Sequence, residues 1–245
     1  MSYLDLLPRP DAAVYPSAAG WGDPARRRQT LIDPRDGMAW AAFPMASPDD
    51  VAAAVAHARK SVPLDWTEGA RAARIAMLRR LIEVMGEHTM GFVADIQREV
   101  GSPDVFARDK HVGTALDHLR AILAAAEATT DDQAPDPTAP GHRIRYEPLG
   151  VAALITPWNW PLNQLALKIG AALVSGCTMV LKPSELATPT ALRLSQCMAE
   201  AGVPDGVFQL VLGDGETGAA LTRAEVCAIS RPTAVEPVKE ITSTS

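Results

Sequence analysis

The chain has 245 residues, 47% of them hydrophobic, a formal net charge of −6 and a pI near 5.4. Such a chain buries a substantial core and is not disordered, and its scattered rather than clustered lysines and arginines argue against a nucleic-acid or anionic-membrane surface. Three cysteines, Cys177, Cys197 and Cys227, form an odd set without CxxC or His-paired spacing, so neither a disulfide framework nor a metal site is indicated.

Reduced thiols in a cytoplasm are the expectation. No basic segment followed by an apolar one opens the chain, and no apolar run approaches the roughly 18 residues of a membrane span, so neither secretion nor membrane insertion is expected.

Residues 1–28 mix Pro, Ala and Gly with Arg26-Arg-Arg28 and have no period, which predicts an irregular arm. Thr30 to Gly37 followed by Met38 to Phe43 reads as a hairpin around an Asp-Gly turn. Ser47-Pro-Asp-Asp50 supplies an N-cap, a first-turn proline and acidic residues for the positive helix end, predicting a helix through Lys60. From Thr67 to Met85, the spacing of Ile75, Leu78, Ile82 and Met85 predicts an amphipathic helix with Arg74, Arg79, Arg80 and Glu83 on its other side. A helix over about 87–99 should stop at Gly101-Ser-Pro103, and one from Asp104 to about Ala128 carries Val105, Val112, Leu116, Leu119 and Leu123 on one stripe. Thr129 to Gly141, with three prolines and three aspartates, is a linker or projecting loop.

The pattern then changes. Val151 to Ile155 is a buried-strand run bounded by Gly150 and Pro157, and Thr156-Pro-Trp-Asn-Trp-Pro161 is a stiff turn holding Trp158 and Asn159 at the strand's carboxyl end. A helix from Leu162 to Ser175, a strand from Thr178 to Lys182, a helix from Thr188 to Ala201, a strand from Phe208 to Leu212, a short helix from Gly213 to Leu221 and a strand over Val226 to Ile229 complete it. Strands alternating with helices predict βαβ units in a doubly wound parallel sheet, with ligands at the strands' carboxyl ends.

Pro148-Leu-Gly-Val151, Thr156-Pro-Trp-Asn159, Lys182-Pro-Ser-Glu185 and Gly213-Asp-Gly215, in this order, resemble the cofactor-binding half of an aldehyde dehydrogenase. The resemblance implies an α/β fold with a Rossmann-like sheet preceded by a helical N-terminal region. It divides the chain into an arm (1–28), a helical part (29–128), a linker or oligomerisation arm (129–145), a dinucleotide-binding core (146–230) and an off-pattern tail (231–245). It further implies NAD or NADP as cofactor, an aldehyde as substrate and a homo-oligomer as the assembly.

Each site residue takes its role in turn. Lys182 and Glu185, a cation and a carboxylate on one turn, suit the vicinal hydroxyls of an adenosine ribose, with Ser184 as a neighbouring contact; the alternative is a surface ion pair. Asn159 has an amide that can donate to an oxygen gaining negative charge, and the family uses the matching residue in this way; the alternative is an Asn capping its own turn. Ile155, Thr156, Pro157 and Trp158 would line the cofactor cleft, core packing being the other reading of Trp158. Lys168 either snorkels or sits near a polar site, and the resemblance gives it a supporting catalytic part. Gly215 is a close-approach glycine. Cys177, Cys197 and the helical histidines read as core or solvated residues.

Family members run to roughly twice this length, so the resemblance implies truncation before the catalytic domain. The family's Phe-Thr-Gly-Ser-Thr, its Glu-Leu-Gly-Gly base segment and its Gly-Gln-x-Cys nucleophile segment do not occur in the 245 residues. The family mechanism is thiolate attack, hydride transfer to nicotinamide and thioester hydrolysis, so the chain as given is expected to be inactive. It reads as a member cut short by frameshift or partial sequencing, or alternatively as a non-enzymatic remnant that binds a dinucleotide or pairs with full-length members.

Overall fold

Proline and glycine set many of the element boundaries in the computed structural model, which describes residues 14–16, 18–21, 23–60, 70–133, 138, 141–224, 226 and 228–230. The first part comprises β1 (Val14–Tyr15), α1 (Ala18–Trp21), the antiparallel pair β2 (Arg28–Ile32) and β3 (Ala39–Pro44), α2 (Pro48–Lys60), α3 (Arg71–Glu87) and α4 (Thr89–Val100). Next come α5 (Asp104–Phe106), a π-helical segment (Ala107–Val112), α6 (Gly113–Ala128) and a small ribbon of β4 (Asp132–Gln133) and β5 (Ile144–Arg145). The last part runs β6 (Val151–Ile155), α7 (Pro161–Val174), β7 (Thr178–Lys182), a 3-10 turn (Glu185–Ala187), α8 (Thr188–Glu200), β8 (Phe208–Val211), α9 (Gly215–Arg223) and β9 (Ala228–Ser230).

The main sheet has the order β1-β8-β7-β6-β9, and every pairing in it is parallel. Because successive strand residues face opposite sides, β6 through β8 divide their side chains between two cores. Ala152, Leu154, Met179, Leu181, Phe208 and Leu210 pack on one side with α3, α4, α6, α7 and α8. Val151, Ala153, Val180 and Val211 pack on the other with α2 and Leu221 of α9. A sheet covered on both faces is the reason these strands are near-continuous apolar runs.

Helix ends are set by local chemistry. Ser47 Oγ accepts from Asp50 N at 3.2 Å, and an Asp50 carboxylate oxygen accepts from Ser47 N at 2.8 Å, a reciprocal cap for α2. Gly101 closes α4 in the left-handed region at φ 68°, and Pro161 and Pro189 sit in the first turns of α7 and α8.

Several expectations are corrected. The arm predicted to be irregular carries β1, which pairs with β8 through Val14 and Leu210; two residues are too few to show a period. The loop predicted at 129–141 enters the β4–β5 ribbon, whose two-residue strands are equally short. Arg74, expected on the solvent side, is 2% exposed: its Nε donates to the Val174 carbonyl at 3.1 Å and its guanidinium meets Asp131. Val105 leaves its predicted stripe and is 60% exposed, whereas Val112, Leu116 and Leu119 are buried. The intervening π segment widens the turn and shifts the phase of α6 relative to α5. The start of the helix predicted from Thr67, Cys227 and the tail 231–245 lie outside the described residues.

A buried polar joint locks α4 to α8. Arg193 donates to both carboxylate oxygens of Asp95, at 2.6 and 3.2 Å, with both side chains under a tenth exposed. A Cβ on Gly91 would fall 2.4 Å from the Arg193 guanidinium, so this glycine makes room for the pair. One turn along, Glu99 accepts from Thr190 N and Thr190 Oγ1 at 2.8 and 2.6 Å, capping the start of α8.

Replacing Asp95 with Ala leaves Arg193 charged and uncompensated, and the expected loss is about 3–5 kcal/mol in urea unfolding; the double change Asp95→Leu, Arg193→Met should recover most of it. A loss under about 1 kcal/mol for the single variant would contradict the joint. Burial pushes Glu99 up to about 8 from its ordinary 4.5, against the pull of the Thr190 donors. A carboxyl raised on folding contributes stability that is full below 4.5 and lost as pH rises through about 8. Glu99→Gln should therefore flatten the fall in unfolding free energy over that window, and an unchanged pH profile would refute the assignment.

Candidate functional site

The carboxyl ends of β6 and β7 meet the first turns of α9 in a cleft of about 480 Å³. Its walls are Ile155 at the end of β6 with Thr156 and Pro157 after it, Lys182 at the end of β7 with Ser184 and Glu185 after it, and Gly215, Gly218, Ala219 and Thr222 on α9. The strand order places β7 and β8 on one side of β6 and β9 on the other, so the chain's direction of winding reverses at β6. Ligands in open α/β sheets bind outside the carboxyl ends at such a reversal.

Lys182 is the last residue of β7 and is 4% exposed. Its Nζ donates to the Gly213 carbonyl at 2.9 Å, tying the end of β7 to the end of β8. Burial lowers its pKa, while Glu185 and Asp214 pull it back up. The surface ion-pair alternative is thereby corrected: the ammonium is inside, and an ammonium has three donors of which Gly213 takes one. Glu185 is half-buried on the 3-10 turn, where Ser184 Oγ lies 3.4 Å from its carboxylate and caps the turn by accepting from Leu186 N at 3.3 Å.

Thr156 N donates to the Lys182 carbonyl at 3.2 Å, continuing the β6–β7 ladder one residue past the strand. Its Oγ1 is buried with no hydrogen-bond partner among the described residues, which leaves a polar atom at the cleft unmatched by protein. A Cβ on Gly215 would meet nothing within 4 Å, so the space beside that backbone is open cleft. A Cβ on Gly218 would touch the Lys182 stem at 3.5 Å. Asp214 N-caps α9, accepting from Glu216 N at 2.9 Å, and Arg27 clamps it at 2.7 Å; the clamp and cap hold the Asp214 carboxyl below its ordinary value despite its partial burial.

The structure brings Ile155, Thr156, Pro157, Lys182, Ser184, Glu185 and Gly215 together. Trp158, Asn159 and Lys168 do not line the cleft. Trp158 is 51% exposed, which corrects its core-packing alternative, and Asn159 is exposed beside it on the turn into α7. Lys168 is half-buried two turns into α7, where burial lowers its pKa. Gly218, Ala219 and Thr222 escaped the sequence reading although their spacing from Gly215, three, four and seven residues, marks one helical face. Cys177 and Cys197 are buried and free. Among the described residues no His, Cys, Asp or Glu cluster could hold a metal ion, and no helix is long and apolar enough to cross a membrane.

A sequence model of the aldehyde dehydrogenase family matches residues 21–238. The chain belongs to the aldehyde dehydrogenase family. A 3-succinoylsemialdehyde-pyridine dehydrogenase from a Pseudomonas species is 36% identical over 197 residues, 80% of this chain and 40% of that protein. Among solved structures, an aldehyde dehydrogenase from Bartonella henselae superposes with a TM-score of 0.76 at 28% identity, covering 85% of this chain and 50% of that one. A variant of aldehyde dehydrogenase C from Pseudomonas syringae, solved with NAD+ and octanal, gives 0.74 at 35% identity over 79% of this chain and 39% of that one. The chain thus spans half or less of the length of these relatives. In this aldehyde dehydrogenase chain the α/β fold with its parallel sheet is the family's own.

A Cβ on Gly213 would lie 2.1 Å from Thr217 Oγ1, so Gly213→Ala must displace the first turn of α9. The expected cost is about 1–3 kcal/mol, read as a lowered Tm; a Tm equal to that of the unaltered chain would show that the turn yields freely.

Proposed function

We propose that the cleft holds the adenosine ribose of NAD or NADP and that the chain supplies the cofactor-binding half of NAD(P)-dependent oxidation of an aldehyde to a carboxylic acid. The observation that carries this reading is the convergence of a buried lysine and a half-buried carboxylate, Lys182 and Glu185, at the carboxyl edge of a parallel sheet. The donor set fits a ribose: Lys182 retains N–H donors, Glu185 accepts from hydroxyls, and Gly215 leaves room for a ring against the backbone. The neighbour from Pseudomonas syringae solved with NAD+ lends the same support.

The nicotinamide, when bound, accepts the hydride. The chain's own residues bind and orient. Lys182, Ser184 and Glu185 fix the ribose end, Ile155, Thr156, Pro157 and Trp158 border the cofactor, and Asn159 offers its amide to an aldehyde oxygen gaining negative charge. Lys168, partly desolvated on α7, has a supporting part. The exposed β4–β5 ribbon is the arm through which a homo-oligomer would form, and the cytoplasm is the proposed location.

The 245 residues are inactive alone in this reading. A thiolate is required for attack, yet Cys197 is fully buried with its thiol pushed up to about 12 by burial, and Cys177 is buried as well; Cys227 lies outside the described residues. The same burial favours the second reading, a dinucleotide-binding or oligomer-partner remnant without chemistry of its own.

Calorimetric titration tests the first part: Lys182→Ala and Glu185→Ala should each weaken NAD or NADP binding by about 10- to 100-fold, the loss of one charged hydrogen-bonding group, and unchanged affinity in both rejects the ribose assignment. For the second part, purified chain incubated with either cofactor and a panel of aldehydes should form no reduced nicotinamide. Turnover above that of a Lys182→Ala, Asn159→Ala double variant would show the chain to be catalytically complete.

A further inference from the structure

The consecutive arginines Arg26, Arg27 and Arg28 do not line the cleft, and each meets a different neighbour. Arg28 donates to the Trp21 and Ala42 carbonyls at 3.1 and 2.9 Å. Arg26 meets the carboxylate of Asp50, which closes the cap of α2. Arg27 donates to Asp214, the capping residue of α9, at 2.7 Å and to Glu216 at 2.5 Å. Two adjacent side chains thus hold the cap carboxylates of the two helices that cover one face of the sheet.

The start of α9 needs such a hold. The helix has nine residues, too few to persist on its own hydrogen bonds, and the glycines on either side of Asp214, Gly213 and Gly215, loosen the backbone that leads into it. Packing does not fix its first turn either. Gly215 borders the cofactor cleft, while Glu216 and Thr217 border a second cavity of about 360 Å³, whose walls include Arg26, Arg27, Ser47 and Pro48. A turn between two cavities lacks the close neighbours that hold a side chain inside a core, so polar ties must place it.

Arg27 reaches this turn from a fixed post. Its carbonyl accepts from Met45 N at 2.9 Å beside the β2–β3 pair, and Ala46 N donates to the Leu212 carbonyl at 2.7 Å, joining that hairpin to the chain just past β8. From the same post the Ala46 carbonyl accepts from Thr217 Oγ1 at 3.3 Å. On the cleft side Lys182 Nζ holds the Gly213 carbonyl, so the ties of Lys182 and Arg27 fall on adjacent residues, 213 and 214. Asp214 also lies near enough to raise the Lys182 pKa, so the charge that Arg27 offsets is one that Lys182 feels.

We propose that Arg27 is a positioning residue of the cofactor site: through Asp214 it holds the first turn of α9 at the cleft, and so sets the affinity for the dinucleotide without touching it. The affinity half of this inference rests on the cofactor reading above.

Calorimetric titration of the full chain with NAD reads the affinity, and amide hydrogen exchange at Glu216 and Thr217 reads the turn. Arg27→Ala should weaken NAD binding about three- to tenfold and speed exchange of both amides by a similar factor. Arg27 belongs to neither apolar core, so the variant folds. Arg27→Lys keeps a charge that can reach one of the two carboxylates and should recover part of each loss. Arg120→Ala removes an equal charge, paired with Asp117 on α6, and should change neither readout by more than about 1.5-fold. In an Asp214→Asn background, whose amide oxygen still caps the helix, Arg27→Ala should lose most of its effect. An effect that persists there in full shows Arg27 acting on the dinucleotide directly and overturns the proposal, as does no recovery in Arg27→Lys or an equal loss in Arg120→Ala. Normal NAD binding by Arg27→Ala leaves the cofactor reading standing and overturns the positioning role. Absence of NAD binding by the unaltered chain rejects the cofactor reading; exchange then decides alone, faster in Arg27→Ala upholding the hold on the turn and unchanged refuting it.

Discussion

Everything in this structure depends on three parallel strands that have no solvent face. β6, β7 and β8 alternate their side chains between two cores, so each crossover must return a helix to a face that would otherwise be bare. α7 and α8 close one face, and α2, drawn from far earlier in the chain, closes the other with α9. The helical first half is therefore a lid for the sheet as much as a preface to it. The Asp95–Arg193 pair and Glu99 on Thr190 pin that half to α8, joining residues 98 and 91 apart in sequence.

The same geometry produces the cleft. Parallel strands end on one edge, and the segments leaving them must turn there. Pro157 and Pro183 stiffen two of those turns, and the Lys182 ammonium bonds the Gly213 carbonyl across the third. That hydrogen bond fixes where α9 begins, and α9 is the wall with the small side chains. A lysine would ordinarily reach for solvent; held inside, it is both a brace for the sheet edge and a donor facing the cleft.

Much of this was legible in the sequence because the signals were local. Val151 to Ile155 and Thr178 to Lys182 have the bounds read from glycine and proline, since those residues act through their own backbone. The cleft residues Lys182, Ser184 and Glu185 were legible for the same reason. The illegible features were set by partners remote in the chain. β1 exists because β8, nearly 200 residues later, offers an open edge. Arg74 reads as a solvent residue by type, and is buried because the Val174 carbonyl and Asp131 receive it. Gly215 was legible from its glycine-rich turn, but Gly218, Ala219 and Thr222 on the same helical face were hidden by their blandness: small residues carry little hydrophobic signal, and their use lies in the space they leave empty.

The π segment also governs how this region can vary. An α-helix turns about 100° per residue, and Ala107–Val112 absorbs one surplus residue without breaking the helical path from Asp104 to Ala128. Deleting a single residue there would restore regular phase, leave Val112, Leu116 and Leu119 seated in the core, and swing Phe106 about a quarter-turn around the axis away from Trp160. The contact between Phe106 and Trp160 is thus governed by the length of this segment as much as by either side chain.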